Sequence, residues 1–229
     1  FTLMGDLRRG LLSTHAGRVK DWNGQLHAEF SDVDLSQLGP HLPWKVNATQ
    51  GQGALRMWLD LRLGNIQQAT ADLVLENAKA QLSPELEALS FKHIAGRVSA
   101  KAKPHGFDFS TEGLRFDMAD GLHWPGGNVS FSYAEADNEQ SAKGVFHGDK
   151  LDLFALRNIA LQLPLPASAR QTLQAHQFSG LVNPLHIEWS EELGKSDNAI
   201  HVQVAHGRFD NFYFEGGKAG SDTENWPSI

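Results

Sequence analysis

A chain of 229 residues, 41% hydrophobic and 21% charged, is long enough to bury a core and too apolar for wholesale disorder. Its net charge of −7, with no run rich in Lys or Arg, argues against a nucleic-acid partner. The lack of cysteine excludes disulfides, thiolate metal sites and cysteine nucleophiles, and no apolar run approaches the ~18 residues of a membrane-spanning helix.

The chain opens at Phe1 with neither Met nor a charged-then-apolar leader, so it is expected to be an excised fragment or a mature product. Residues 1–21 begin with an alternation and then carry Arg8, Arg9, Arg18 and Lys20; no structure is assigned to them. An Asn23-Gly24 turn signal precedes a strand that alternates Leu26, Ala28 and Phe30. Asp34 or Ser36 is suited to cap a short helical turn, which Gly39-Pro40 ends.

Residues 51–81 read as a β-hairpin turning at Gly64-Asn65. Leu55, Met57, Leu59 and Leu61 point one way, and Arg56, Trp58, Asp60 and Arg62 the other. Ala71, Leu73 and Leu75 continue the apolar face on the second arm. Leu86 and Leu89 are expected anchors after the Ser-Pro turn. Further strands follow, with Ile94, Gly96, Val98 and Ala100; then Phe107, Phe109, Leu114, Phe116 and Met118; then Val129, Phe131 and Tyr133. Residues 134–143 read as a polar loop or hairpin tip, and a strand begins at Gly144. Residues 153–176 hold the helical spacing, as two short helices split by LPLP. Strands return over 178–189 and 199–214.

The segment GQLHAEFSDVDLSQL (24–38) is echoed by GVFHGDKLDLFAL (144–156), with Asp34 aligned to Asp152. In both, a Gly-led strand runs into Asp-Leu-x-x-Leu. The reading is a repeated unit of strand, short helix and antiparallel strands, of the kind that extends by stacking. It divides the chain into a first β unit at 22–143, a second at 144–215 that begins with a helical insertion, and a flexible tail at 216–229.

Chemistry-bearing motifs are few. The eleven histidines show no helical HxxxH with a Glu and are read as scattered surface residues, so no metal site is assigned. No G-x-S-x-G elbow or phosphate-cradling loop is present. Trp22, Trp44, Trp58, Trp124 and Trp189 all lie in or beside strands; Trp58 falls on the polar side of its strand, as a carbohydrate platform would need, but edge packing under a helix is the favoured reading. What remains is the apolar strand face. A closed sandwich would make it core, and an open curved sheet would make it a groove for acyl chains. The periodicity is the same in both cases, and pattern alone favours a core.

Residues 22–214 resemble the periplasmic middle region of the YhdP family, the large AsmA-like envelope proteins of Gram-negative bacteria. The resemblance rests on GALRMWLDLRLGN, GFDFSTEGLRF, WPGGN and LDL-x-x-L in their order and spacing. It implies repeated strands forming a curved antiparallel sheet with a long apolar groove, similar to bridge-like lipid-transfer proteins. It also implies a non-enzymatic role in moving phospholipid toward the outer membrane, from a periplasmic parent held in the inner membrane by an anchor this chain lacks. The expected partners are phospholipid acyl chains and neighbouring β-repeats, with no cofactor. On this reading the groove is lined by Leu55, Met57, Leu59, Leu73, Val98, Phe107, Phe109, Phe116, Val129 and Phe131. The alternative is a structural or interaction domain with a closed core.

Overall fold

A computed structural model describes residues 1–9, 21–38, 47–81, 88–137, 141–162, 167–191 and 200–216. In chain order the elements are β1 (Thr2–Arg9), β2 (Trp22–Asp34), α1 (Leu35–Leu38), β3 (Asn47–Arg62), β4 (Asn65–Gln81), β5 (Leu89–Lys103) and β6 (Gly106–Met118). They continue as β7 (His123–Trp124), β8 (Val129–Ala134), β9 (Lys143–Gly148), β10 (Leu151–Asp152), α2 (Leu153–Leu161), α3 (Ala167–Ala175), β11 (His176–Glu191) and β12 (Ile200–Gly216). All twelve strands join one antiparallel sheet in the order β1-β2-β3-β4-β5-β6-β8-β9-β11-β10, with β12 on β11 and β7 on β6. The sheet does not close: among the described residues β1 pairs only with β2, and β12 only with β11. The mainly β, curved-sheet expectation is met by this large open sheet with few short helices.

The alternation read in the sequence becomes a register. Side chains directly opposite in an antiparallel pair share a face. Ala28, Met57, Ala71, Val98, Thr111, Val129, Gly148 and Leu185 are successive partners from β2 to β11. Bulges keep the faces segregated where the count slips. Between β5 and β6, Arg97 pairs with Glu112 and Ala95 with Arg115, so Gly113 and Leu114 oppose Gly96 alone. Gly113 takes φ +57, and its N–H donates to Asn128 Oδ1 at 2.9 Å. A side chain on Gly96 would collide with the Leu114 backbone. The extra residue returns Phe116 to the apolar face.

Two sequence expectations shift. The hairpin turn sits at Leu63-Gly64 (φ 49 and 70), one residue before Gly64-Asn65. Neighbours hold it there, because Leu63 N–H donates to Asn23 Oδ1 at 3.0 Å and Gly64 N–H to the Trp22 carbonyl at 2.9 Å. Asn23-Gly24 is not a turn but lies inside β2, where Gly24 (φ 142) lets the β1 backbone approach. The unassigned start contains β1. Leu86, the Gly39-Pro40 stop, Trp44, the LPLP break and the tail beyond Gly216 lie outside the described residues.

The echoed segments share local geometry. Asp34 accepts from Ser36 N–H at 3.0 Å at the start of α1, and Asp152 from Ala155 N–H at 3.0 Å at the start of α2. Pairing skips two residues at matching places, 31–32 in β2 and 149–150 between β9 and β10. The sheet runs unbroken between the copies, through β8 on β9.

Burial concentrates at one end of the strands. Leu89, Phe116, Met118, Leu122, Trp124, Leu151, Val182 and Leu185 form a core under α2, which contributes Leu153 and Ala155. A second cluster of Val33, Leu55, Leu75 and Ala78 lies beside Leu35 of α1, and Phe91 and Ile94 touch both clusters. Arg157 ties α2 to the end of α3 by donating from Nε to the Leu173 and His176 carbonyls at 2.8 and 2.9 Å. Leu151 is fully buried, so Leu151→Ala is expected to cost about 2–5 kcal/mol. Leu59→Ala, on the half-buried stretch, is expected to cost less; chemical denaturation of the two variants checks the difference.

Candidate functional site

All ten residues singled out in the sequence stand on the same face of the sheet. Phe30, Leu55 and Leu73 follow one another, as do Leu26, Leu59, Ala69, Ala100, Phe109, Phe131, Phe146 and Ile187. Leu75, Ile94, Phe116 and Trp124 make a further row. The residues differ in cover. Leu55 and Phe116 are buried, at 9% and 6% exposure, and belong to the two clusters. Phe116 meets Phe91 edge-on at 5.4 Å and stacks on Trp124 at 6.2 Å. Met57, Leu59, Leu73, Val98, Val129 and Phe131 are half-buried. Phe107 and Phe109 are open to solvent, at 43% and 38%.

The open end is aromatic. Phe107 lies 5.5 Å from Phe131 and 6.0 Å from Tyr133, and Phe131 lies 5.6 Å from Trp189. Trp189 crosses over Gly144, where any side chain would strike its ring. Phe146, Ile187 and Trp189 were not among the sequence candidates. Their alternation with His147, Glu188 and Ser190 was visible, but only the β9–β11 register places them beside Phe131.

The opposite face is polar and ion-paired. Glu29, Arg56, Asp72, Arg97 and Glu112 are direct cross-strand partners of alternating charge. Arg56 meets Glu29 at 2.9 Å; Arg97 meets Asp72 at 2.6 and 3.0 Å and Glu112 at 3.6 Å. Hydrogen bonds from Arg56 and Arg97 hold the Glu29 and Asp72 carboxyls below their usual range, and the two guanidinium values rise in return. The Lys103 ammonium does the same for Asp108. A parallel row carries Glu76, His93, Asp117 and His123, with His93 2.7 Å from Glu76 and His123 2.6 Å from Asp117.

Trp58 sits on this polar face with the Arg56 and Arg97 guanidinium carbons 5.9 and 5.7 Å from its ring and His27 at 5.3 Å. Trp124 and Trp189 are on the other side of the sheet, so the three indoles share no cleft. Three concavities of ≈ 310, 580 and 380 Å³ are bounded chiefly by polar-face residues. The first is lined by Ser99, Ser110, Ser130 and Ser132, the second by Arg56 and Asp72, and the third by His27, Trp58 and Asp60.

The family resemblance implied a curved antiparallel sheet, and the chain forms a large open one with an apolar face. The family model described as YhdP protein matches residues 1–229. The chain belongs to the YhdP family. The match takes in the first 21 residues and the tail, both beyond the stretch whose phrases carried the resemblance. Neither a curated protein nor a solved structure matches the chain. At the family level, membership supports a bridge-like envelope protein.

The ladder yields a pH expectation. Because the Asp72 carboxyl is lowered in the folded state, its contribution is present in full above the unfolded-chain value of about 3.9. It is lost as pH falls below that, through the lowered folded value. The stability difference between the wild-type chain and Asp72→Asn is therefore expected to be constant from neutral pH down to about pH 5 and to shrink below about pH 4. Urea unfolding across that range checks it.

Proposed function

We propose that this chain is a non-enzymatic segment of a periplasmic phospholipid-transport protein, and that its apolar sheet face shields acyl chains from water. The observation that carries the reading is the continuity of that face from β2 to β11 in a sheet whose two edges are, among the described residues, unpaired. Seven strand spacings of ~4.8 Å make a row of about 34 Å. That is close to the ~30 Å hydrocarbon thickness of a bilayer, so the acyl chain of one leaflet lies within it lengthwise. Each shielded methylene contributes ~0.8 kcal/mol, and no polar contact is required. Phe107 and Phe109 support the reading because a chain of this length otherwise leaves two phenyl groups in water beside Phe131 and Tyr133.

The end of the same face under α1 and α2 favours a second reading, a closed structural core. Leu151 and Val182 are fully enclosed there and leave no room for a ligand. The two readings divide the face between them: packed core at the helical end, lipid contact at the aromatic end. Interaction with neighbouring β-repeats of a longer parent fits the unpaired edges of β1 and β12.

Native mass spectrometry of the chain purified from bacterial membranes tests the reading. Phospholipid is expected to remain bound, and Phe107→Asp with Phe109→Asp is expected to reduce the bound fraction several-fold without unfolding the chain. Lipid-free protein, or lipid retained equally by the double variant, would count against it.

A further inference from the structure

On the polar face, His147 of β9, His186 of β11 and His206 of β12 are direct partners in register. Three imidazoles thus stand in one row on adjacent strands, at the free-edge end of the sheet. The His147 and His186 ring centres are 5.9 Å apart, and the rings are tilted by 58°. Two imidazoles bound to one tetrahedral zinc ion, each with Zn–N of ~2.1 Å, have centres about 5 Å apart. The pair therefore stands within about 1 Å of a chelating separation. His186 Nε2 lies 2.9 Å from Glu188 Oε1. That contact orients the ring and leaves Nδ1 as its free donor, the arrangement in which a carboxylate behind the imidazole fixes a metal ligand.

His147 and His206 are exposed and flank the central ring at strand spacings of ~4.8 Å, close enough to lean in through their own ring nitrogens. Of the nearby cations on this face, Lys143 lies at the far end of β9 opposite Ser190, and Arg208 lies 4.0 Å from Asp210. Neither occupies the row. In the present rotamers no three donors converge among the described residues. Binding therefore requires the exposed His147 and His206 side chains to rotate toward His186.

We propose that His147, His186 and His206, with Glu188 behind His186, bind a divalent cation of the zinc class. The ion staples the edge strand β12 to β11 and β9. Imidazole donors select zinc or copper over magnesium and calcium. The sequence hides the site because its ligands are 39 and 20 residues apart (147 to 186 to 206), and only the antiparallel register aligns them.

Titration calorimetry of the chain with zinc chloride at neutral pH tests the proposal. One zinc per chain is expected. His147→Ala, His186→Ala and His206→Ala should each weaken binding at least about 10-fold, and Glu188→Gln by about 10–100-fold. His105→Ala, in the exposed turn after β5, should leave it unchanged. The histidine ring resonances of the unmutated chain give a reading independent of any variant's folding, and zinc should shift those of these three residues. Absence of binding at ~1 mM zinc, affinity unaffected by any one of the three alanine variants, or ring shifts confined to other histidines would overturn the assignment.

Discussion

The sheet depends on parity. A one-residue slip in any strand pair would carry every later side chain to the other face. This chain holds parity across many pairings, and at some of its irregularities a glycine or a side-chain hydrogen bond absorbs the slip. Gly96 and Gly113 with Asn128 do this between β5 and β6. Gly53 borders the slip between β2 and β3, and a side chain on it would strike the Val74 carbonyl of β4. Remove that bookkeeping and Phe116 turns toward Arg97 while Arg115 turns toward the core.

Parity creates two unequal faces. On the polar face, carboxylates and guanidinium groups alternate across five strands, from Glu29 to Glu112. Exposed pairs of this kind contribute little stability each. Their larger effect is on register, since shifting one strand by two residues would set Arg56 or Arg97 against an uncharged partner. The apolar face has the opposite economy: strong burial where helices cover it and weak specification where they do not. The charge ladder therefore pins the middle strands behind the half-buried stretch of the apolar side at Met57, Ala71 and Val98.

Much of this was legible in the sequence. Period-two alternation identified the strands, and the Asp-Leu-x-x-Leu echo marked two helix starts at which the Asp accepts a backbone N–H, from Ser36 in one and Ala155 in the other. Within each strand, the face of Leu55, Met57, Val98, Phe109 and Phe131 followed from alternation alone. What alternation does not contain is the partner. It put the hairpin turn on Gly-Asn, the better local signal, because the bonds from Asn23 and Trp22 that stabilise Leu63 in a left-handed conformation come from another strand. It read Asn23-Gly24 as a turn because the closeness of β1, which makes glycine necessary there, is a tertiary fact. It left Phe146, Ile187 and Trp189 out of the site for the same reason.

The distribution of burial also fixes the direction in which the apolar face can be used. Along the strands the face is blocked, since it ends in the packed cluster beneath α2 and beside α1. Across the strands nothing interrupts it: Leu26, Leu59, Ala69, Ala100, Phe109, Phe131, Phe146 and Ile187 succeed one another at every strand spacing. An apolar chain laid on the face therefore lies perpendicular to the strands, with the helical end as its closed wall and the Phe107–Tyr133 end open to water. Because β1 and β12 are, among the described residues, unpaired on their outer sides, the apolar face reaches both edges of the sheet. The same antiparallel pairing that aligns its rows inside this chain would align them with any strand added there.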